Sequence, residues 1–104
     1  MAEPTLLEGA DRMAGLVAAI AENKDKIAFA AMFEHFAPRL KGLMTRDGIS
    51  EALAEEIAMK TMMAVWHEAR LFSSHDLSVA TWVYVLARNL GLTLARQWPT
   101  LPQP

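Results

Sequence analysis

The stretch Glu55–Asn89 reads EEIAMKTMMAVWHEARLFSSHDLSVATWVYVLARN. Two apolar segments of helical period flank a short polar one, Phe72–Leu77, which holds Ser73, Ser74, His75 and Asp76. In the first segment Leu53, Ile57, Thr61, Ala64, Val65 and Glu68 recur on one face at steps of three and four. Met59, Met62, Met63 and Trp66 add apolar surface on other faces, so this helix is either central in a core or touches a partner. In the second segment Val79, Val83, Leu86, Leu90 and Leu94 give a seam, with Trp82, Val85, Asn89, Leu92 and Arg96 in a row beside it. Helix, polar loop, helix is the reading that decides the fold.

Working outward, Ser50 is an N-cap for the first of these helices, with Glu51 in its first turn favouring the helix dipole. That helix is expected to run to Ala69 or Leu71. The second is capped by Asp76 or Ser78 and should end near Gln97, because Pro99 follows. Upstream, Asp47-Gly48 is a turn signal. Before it, a helix is predicted over Lys26–Arg46, capped by Asp25, with Phe29, Phe33, Phe36, Leu40, Leu43 and Met44 as its apolar stripe. Pro38 lies inside this pattern and removes a backbone donor, so a kink is expected there. Earlier still, Met13, Leu16, Val17 and Ile20 mark one face of a helix from about Leu6 to Glu22. No strand pattern and no internal repeat occur. The expected architecture is all-α, a compact bundle of about four helices. Residues 1–24 form an N-terminal helix packing on the domain, 25–97 the domain proper, and 98–104 a linker or tail.

Bulk properties narrow the function classes. At 104 residues the chain suffices for one core. A hydrophobic fraction of 53 % argues against disorder. The absence of cysteine excludes disulfide scaffolds, thiolate zinc sites and cysteine nucleophiles, and fits a reducing cytoplasm. No apolar run reaches the roughly 18 residues needed to span a membrane, so a soluble protein with no membrane partner is expected. Charge is uneven. Residues 1–68 carry seven Lys/Arg against eleven Asp/Glu, whereas residues 69–104 carry Arg70, Arg88 and Arg96 against Asp76 alone. A weakly basic end on an acidic body is compatible with modest DNA contact, and equally with none.

Candidate chemistry is sparse. His35, His67 and His75 show no HxxxH or ExxH spacing on a single helix, and surface histidines account for them better than a metal site does. Glu55 and Glu56 are adjacent and point about 100° apart on a helix, which is a solvated face and not an acid/base pair. No Gly-rich phosphate loop and no nucleophile with its base are present. The expectation is no enzyme, no metal and no cofactor. Met59–Met63 and Met62–Trp66 are four apart and stack along the helix, either filling the core or forming an adaptable protein-binding surface. Trp82 and Tyr84 could stack on unpaired bases, while periodicity favours Trp82 as a core anchor.

Three runs, AFAAMFEHFAPRLKGLM (Ala28–Met44), AEEIAMKTMMAVWHEARLF (Ala54–Phe72) and TWVYVLARNLGLTLARQ (Thr81–Gln97), resemble region 2 of the ECF group of sigma-70-family transcription factors. The likeness covers roughly residues 25–97. The wording FEHFAPRLKG is similar to the subgroup whose partners are zinc-binding anti-sigma factors.

The resemblance implies two surfaces. One, on the third helix, docks on the clamp helices of core RNA polymerase and takes in Glu55, Glu56, Met59, Lys60 and Met63. The other engages the non-template strand of the promoter −10 element through the loop at Phe72, Ser73, Ser74 and His75 and through Tyr84, Arg88, Asn89 and Arg96. Arg88 would contact phosphate, and Asn89 a base or the backbone. This sequence departs from the family at two places. The acid-x-x-Gln-acid docking pattern keeps Glu56 but has Met59 for the Gln and Lys60 for the second acid. After Ala87-Arg88-Asn89, where basic residues and an Asp are common, Leu90, Gly91 and Thr93 stand. Two functional expectations follow. One is a transcription initiation domain that binds core polymerase and promoter DNA under the control of an anti-sigma factor. The other is a sigma-like interaction module that binds an anti-sigma factor or self-associates through the Met-rich helix without promoter recognition.

Overall fold

Helical period and few internal breakers give helices in the computed structural model, which describes residues 4–72 and 77–97, with side chains for residues 12–72 and 77–94. The order is α1 (Pro4–Asn23), α2 (Lys26–Arg46), α3 (Glu51–Glu68), a 3-10 turn (Ala69–Leu71) and α4 (Val79–Gln97). α1 begins two residues earlier than its apolar face suggested. Ser73, Ser74, His75, Asp76 and the tail 98–104 lie outside the described residues.

The helix boundaries follow from capping chemistry. The Asp25 carboxylate accepts from the Ile27 and Ala28 N–H groups, each at 3.0 Å. The Ser50 hydroxyl accepts from Leu53 N–H at 3.2 Å, and that of Ser78 from Thr81 N–H at 3.1 Å. These caps satisfy donors that a helix start leaves without partners. At the end of α2, Gly48 takes φ +94°, and the Ile49 N–H reaches back to the Met44 carbonyl at 3.0 Å. The Gly48 N–H bonds the Thr45 carbonyl at 3.1 Å, completing a Schellman motif that needs the glycine. α1 ends instead on Lys24, a non-glycine residue at φ 51°. Its left-handed backbone aims the ammonium at α3, where it donates to the Trp66 carbonyl at 2.7 Å and sits 4.8 Å from the centre of the Trp66 ring. Arg70 Nε donates in the opposite sense, to the Ala21 carbonyl at 3.1 Å. α1 is thereby tied to the end of α3 by two reciprocal cation–carbonyl bonds.

α3 is the central element and packs against α1, α2 and α4. It buries Leu53, Ala54, Ile57, Ala58, Thr61, Met62 and Val65. The small residues Ala54 and Ala58 let neighbours approach. Gly91 of α4 faces this row, and a β-carbon there would lie at an ordinary contact distance, 3.5 Å, from Ile57 Cδ1. The buried Thr61 hydroxyl donates to the Ile57 carbonyl at 2.7 Å, so no unpaired polar group is stranded there.

Which residues face the core differs from expectation in several places. α2 buries Ala28, Met32, Phe36, Leu40 and Met44, a row of strict four-residue steps. Such a row forms the ridge that packs into a neighbour's groove. Phe29 and Phe33 flank the row and reach sideways, Phe29 meeting the Trp66 ring edge-on at 5.2 Å. Leu43 is 43 % exposed and leaves the stripe. Glu68 is exposed, because the chain tightens into the 3-10 turn after it and Ala69 takes the core position. α4 buries Val79, Val83 and Ala87, with Leu86, Leu90 and Leu94 only half-buried. Pro38 is exposed within α2, which runs without interruption from Lys26 to Arg46.

Where α1 passes α2, His35 rests edge-on against Phe36 at 4.7 Å. Partial burial, the Arg39 guanidinium and then that of Arg12 hold its pKa below the usual histidine value.

Two predictions follow from this packing. Met62→Ala should cost about 2–5 kcal/mol in urea unfolding, while Met59→Ala should stay within about 0.5 kcal/mol. For His35, the unfolded chain binds more protons than the native one near the unperturbed value of 6.5. Stability therefore rises with pH through that window and is lost as pH falls through the lower native value. Comparing urea midpoints at about pH 5.5 and about pH 7.5, His35→Gln should show a smaller difference than the natural chain.

Candidate functional site

Because α3 is enclosed by three helices, its free strip is narrow. Glu55, Met59 and Met63 follow one another at steps of four, with Glu56 and Lys60 one position round. The structure thus brings the five expected docking residues onto one strip. The methionines divide between the two roles weighed for them. Met62 is fully buried, whereas Met59 is 50 % and Met63 42 % exposed. Beside them lies a groove of about 240 Å³, walled by Phe33, Ala37 and Pro38 of α2 and by Ala58 and Met59 of α3. Its end is closed by Lys41, whose ammonium meets Glu55 at 2.7 Å and Glu51 at 3.0 Å. Hydrogen bonds to Glu55 and then Glu51 raise the Lys41 pKa above the usual lysine value.

The acidic groups on this strip are paired within the chain. Glu55 carries Lys41, and Glu56 carries Lys60 at 3.4 Å, one helical turn away. Exposed pairs of this kind are weak and screened by salt, so each can be exchanged for a partner's contacts. Lys60 does more than invert a charge at its own position; it also neutralises the acid next to it.

The second expected surface is split. Tyr84 and Arg88 are one turn apart on α4, so they share a face, and Asn89 adjoins it. All three are exposed, Tyr84 at 37 % and with its ring edge-on to Phe36 at 6.2 Å. The Asn89 carbonyl accepts from the Thr93 hydroxyl at 3.1 Å. Val85 and Leu92, 45 % and 55 % exposed, add apolar surface to the same helix. Trp82 is half-buried and packs on Phe72, ring centres 5.0 Å apart and planes 41° apart. Its role in the structure is to join the end of the 3-10 turn to α4, leaving Tyr84 as the aromatic side chain open to solvent on α4. Ser73, Ser74 and His75, and the side chain of Arg96, lie outside the described residues.

Periodicity within single helices missed the interactions between helices: Lys24 with Trp66, Lys41 with Glu51 and Glu55, and the charge of Arg12 on His35. Only the four-residue step from His35 to Arg39 was readable, and Arg39 does donate to the His35 carbonyl at 2.6 Å. Among the described residues no three His, Asp or Glu side chains gather as they would around a metal ion, and no helix is long and apolar enough to cross a membrane.

Comparison with known proteins adds three findings. The family model for Sigma-70 region 2 matches residues 32–98. The ECF RNA polymerase sigma factor RpoE of Cereibacter sphaeroides is 45 % identical over 92 residues, covering 86 % of this chain and 49 % of that protein. The chain thus spans about half the length of the curated relative it matches. Among solved structures, Rhodobacter sphaeroides SigE in complex with the anti-sigma ChrR superposes with a TM-score of 0.72 at 43 % identity. That likeness covers 74 % of this chain and 44 % of the solved one.

Proposed function

Since this chain belongs to the sigma-70 family through its region 2, we propose that it serves in transcription initiation by holding core RNA polymerase on one face and the promoter −10 element on another. The observation that carries this reading is the separation of two exposed surfaces by a buried core. The Glu55–Met63 strip with its groove lies on α3, and Tyr84, Arg88 and Asn89 lie on α4. Membership in region 2 supports giving the polymerase clamp helices to the first and the unpaired non-template strand to the second. Met59, Met63 and the groove would supply apolar contact to the clamp helices, and Glu55 and Glu56 would trade their internal lysines for basic groups of the polymerase. On α4, Tyr84 would stack on an unpaired base, a contact worth about 1–3 kcal/mol. Arg88 would neutralise a phosphate and fix register, with Asn89 in reach of a base edge or the backbone. Phe72 would present the start of the loop that includes Ser73, Ser74 and His75. The setting is the cytoplasm, where the polymerase is.

Regulation by an anti-sigma factor belongs to the same reading and is supported by the complex in which the similar SigE is found. The exposed Met59 and Met63 together with the Glu56–Lys60 pair favour a second reading, a sigma-like module that binds an anti-sigma factor or a second copy of itself and does not engage promoters.

Binding of the chain to core polymerase and to a single-stranded −10 oligonucleotide, each at two salt concentrations, tests the proposal. The natural chain should bind both, more weakly at higher salt. Met59→Gln with Lys60→Glu restores the family's docking pattern, frees Glu56, and should tighten polymerase binding severalfold without changing DNA binding. Negligible binding of both ligands by the natural chain, with self-association in sedimentation, would replace the first reading by the second.

A further inference from the structure

The expected DNA surface on α4 does not stop at α4. Tyr84 meets Phe36 of α2 edge-on at 6.2 Å, and His35, next in the chain, packs on the same Phe36 at 4.7 Å. Arg39, one turn on from His35, donates from Nη1 to the His35 carbonyl at 2.6 Å, which leaves most of its five donors unused. Arg12 of α1 lies close enough for its charge to act on the same imidazole. His35 and Tyr84 therefore both meet one ring, Phe36, and the charges of Arg39 and Arg12, from two helices, both act on the His35 imidazole. Arg12 and Arg39 are both exposed, and His35 is half-buried. The ion pairs found among the described residues use Lys41 with Glu51 and Glu55, and Lys60 with Glu56; none involves this cluster.

We propose that Arg12, His35 and Arg39 form a phosphate-binding site that carries the sugar–phosphate backbone of a single strand from Tyr84 and Arg88 across α2 onto α1. The inference rests on the reading of α4 as the surface that holds an unpaired strand, and extends it to residues outside the expected site. Like charges held together without a counter-ion repel one another, and partial burial with the two guanidinium groups already disfavours the charged imidazole. An anion bound between them removes that repulsion, and planar guanidinium groups fit phosphate oxygens in a fork geometry. An aromatic ring next to basic groups is also the pairing a single strand uses, base on ring and phosphate on cation. A ring that can take a base next to cations that can take a phosphate is what favours a nucleic acid over an acidic protein surface as the ligand here.

The test uses the full chain and three fluorescent single-stranded DNA probes. One covers the −10 element alone, and the others extend it by about six nucleotides at one end or the other, within the range of known single-strand footprints. Arg12→Gln with Arg39→Gln should weaken binding of one extended probe severalfold and leave the short probe unchanged. The slope of log affinity against log salt for that probe should fall by about 0.7 for each phosphate no longer neutralised. Arg12→Lys with Arg39→Lys should recover most of the slope, because the charge is kept, which separates the site from a folding defect. Arg88→Gln should weaken all three probes. An unchanged slope for both extended probes in the Gln variant overturns the site, and if Arg88→Gln still weakens binding, the reading of α4 stands without it. Failure of the natural chain to bind any probe overturns both.

Discussion

Burial of α3 between three other helices constrains everything else in this protein. Ile57, Thr61, Met62 and Val65 are fully enclosed, and Ala54 and Ala58 give the neighbours room to close over them. A helix used on so much of its circumference has one strip left for outside contacts. Glu55, Glu56, Met59, Lys60 and Met63 occupy that strip, so each substitution there acts on the outside face and hardly at all on the core. The same enclosure explains why the helix carries apolar residues on more than one side without presenting a sticky surface all round.

Much of this arrangement was legible in the residues. Asp25 and Ser50 marked helix starts that their side-chain caps bear out, Ser78 takes the role that Asp76 or Ser78 was expected to fill, and Asp47-Gly48 marked the turn that holds the Schellman motif. The all-α class and the likeness to sigma region 2 are both upheld by the structure and by the related proteins. Less legible was the choice between adjacent rows on one helix. Met32 and Leu43 of α2 both belong to a helical period, and only the positions of α1 and α3 decide that Met32 goes in and Leu43 out. Ala87 was overlooked because a small side chain contributes little to an apolar pattern, although it marks where helices approach closely. Glu68 keeps the helical period of the core face yet lies outside, because the chain tightens into the 3-10 turn directly after it. Groups that meet across helices, such as Lys41 with Glu55, leave no trace in a one-dimensional pattern.

The two candidate surfaces differ in how their charges are held. On α3 each acid has an internal lysine, so docking there would exchange one set of weak pairs for another and depend on apolar contact with Met59, Met63 and the groove. On the α4 side and over α2, no ion pair among the described residues uses Arg12, Arg39 or Arg88, so an anion bound there would displace none of the described pairs. Salt should therefore act more strongly on the second surface than on the first.

Gly91 carries a consequence for motion. Space beside it admits a methyl group at ordinary contact distance from Ile57, so crowding does not require a glycine there. A glycine inside a helix costs roughly 1 kcal/mol relative to alanine, and the cost falls after the buried Ala87 and before the half-buried Leu94. α4 therefore opens more readily beyond Gly91 than before it. Its first half, with Tyr84, Arg88 and Asn89, is packed on the core through Val79, Val83 and Ala87. α4 thus joins a first half packed on the core to a second half whose intrinsic helix stability is lowered by one missing methyl group.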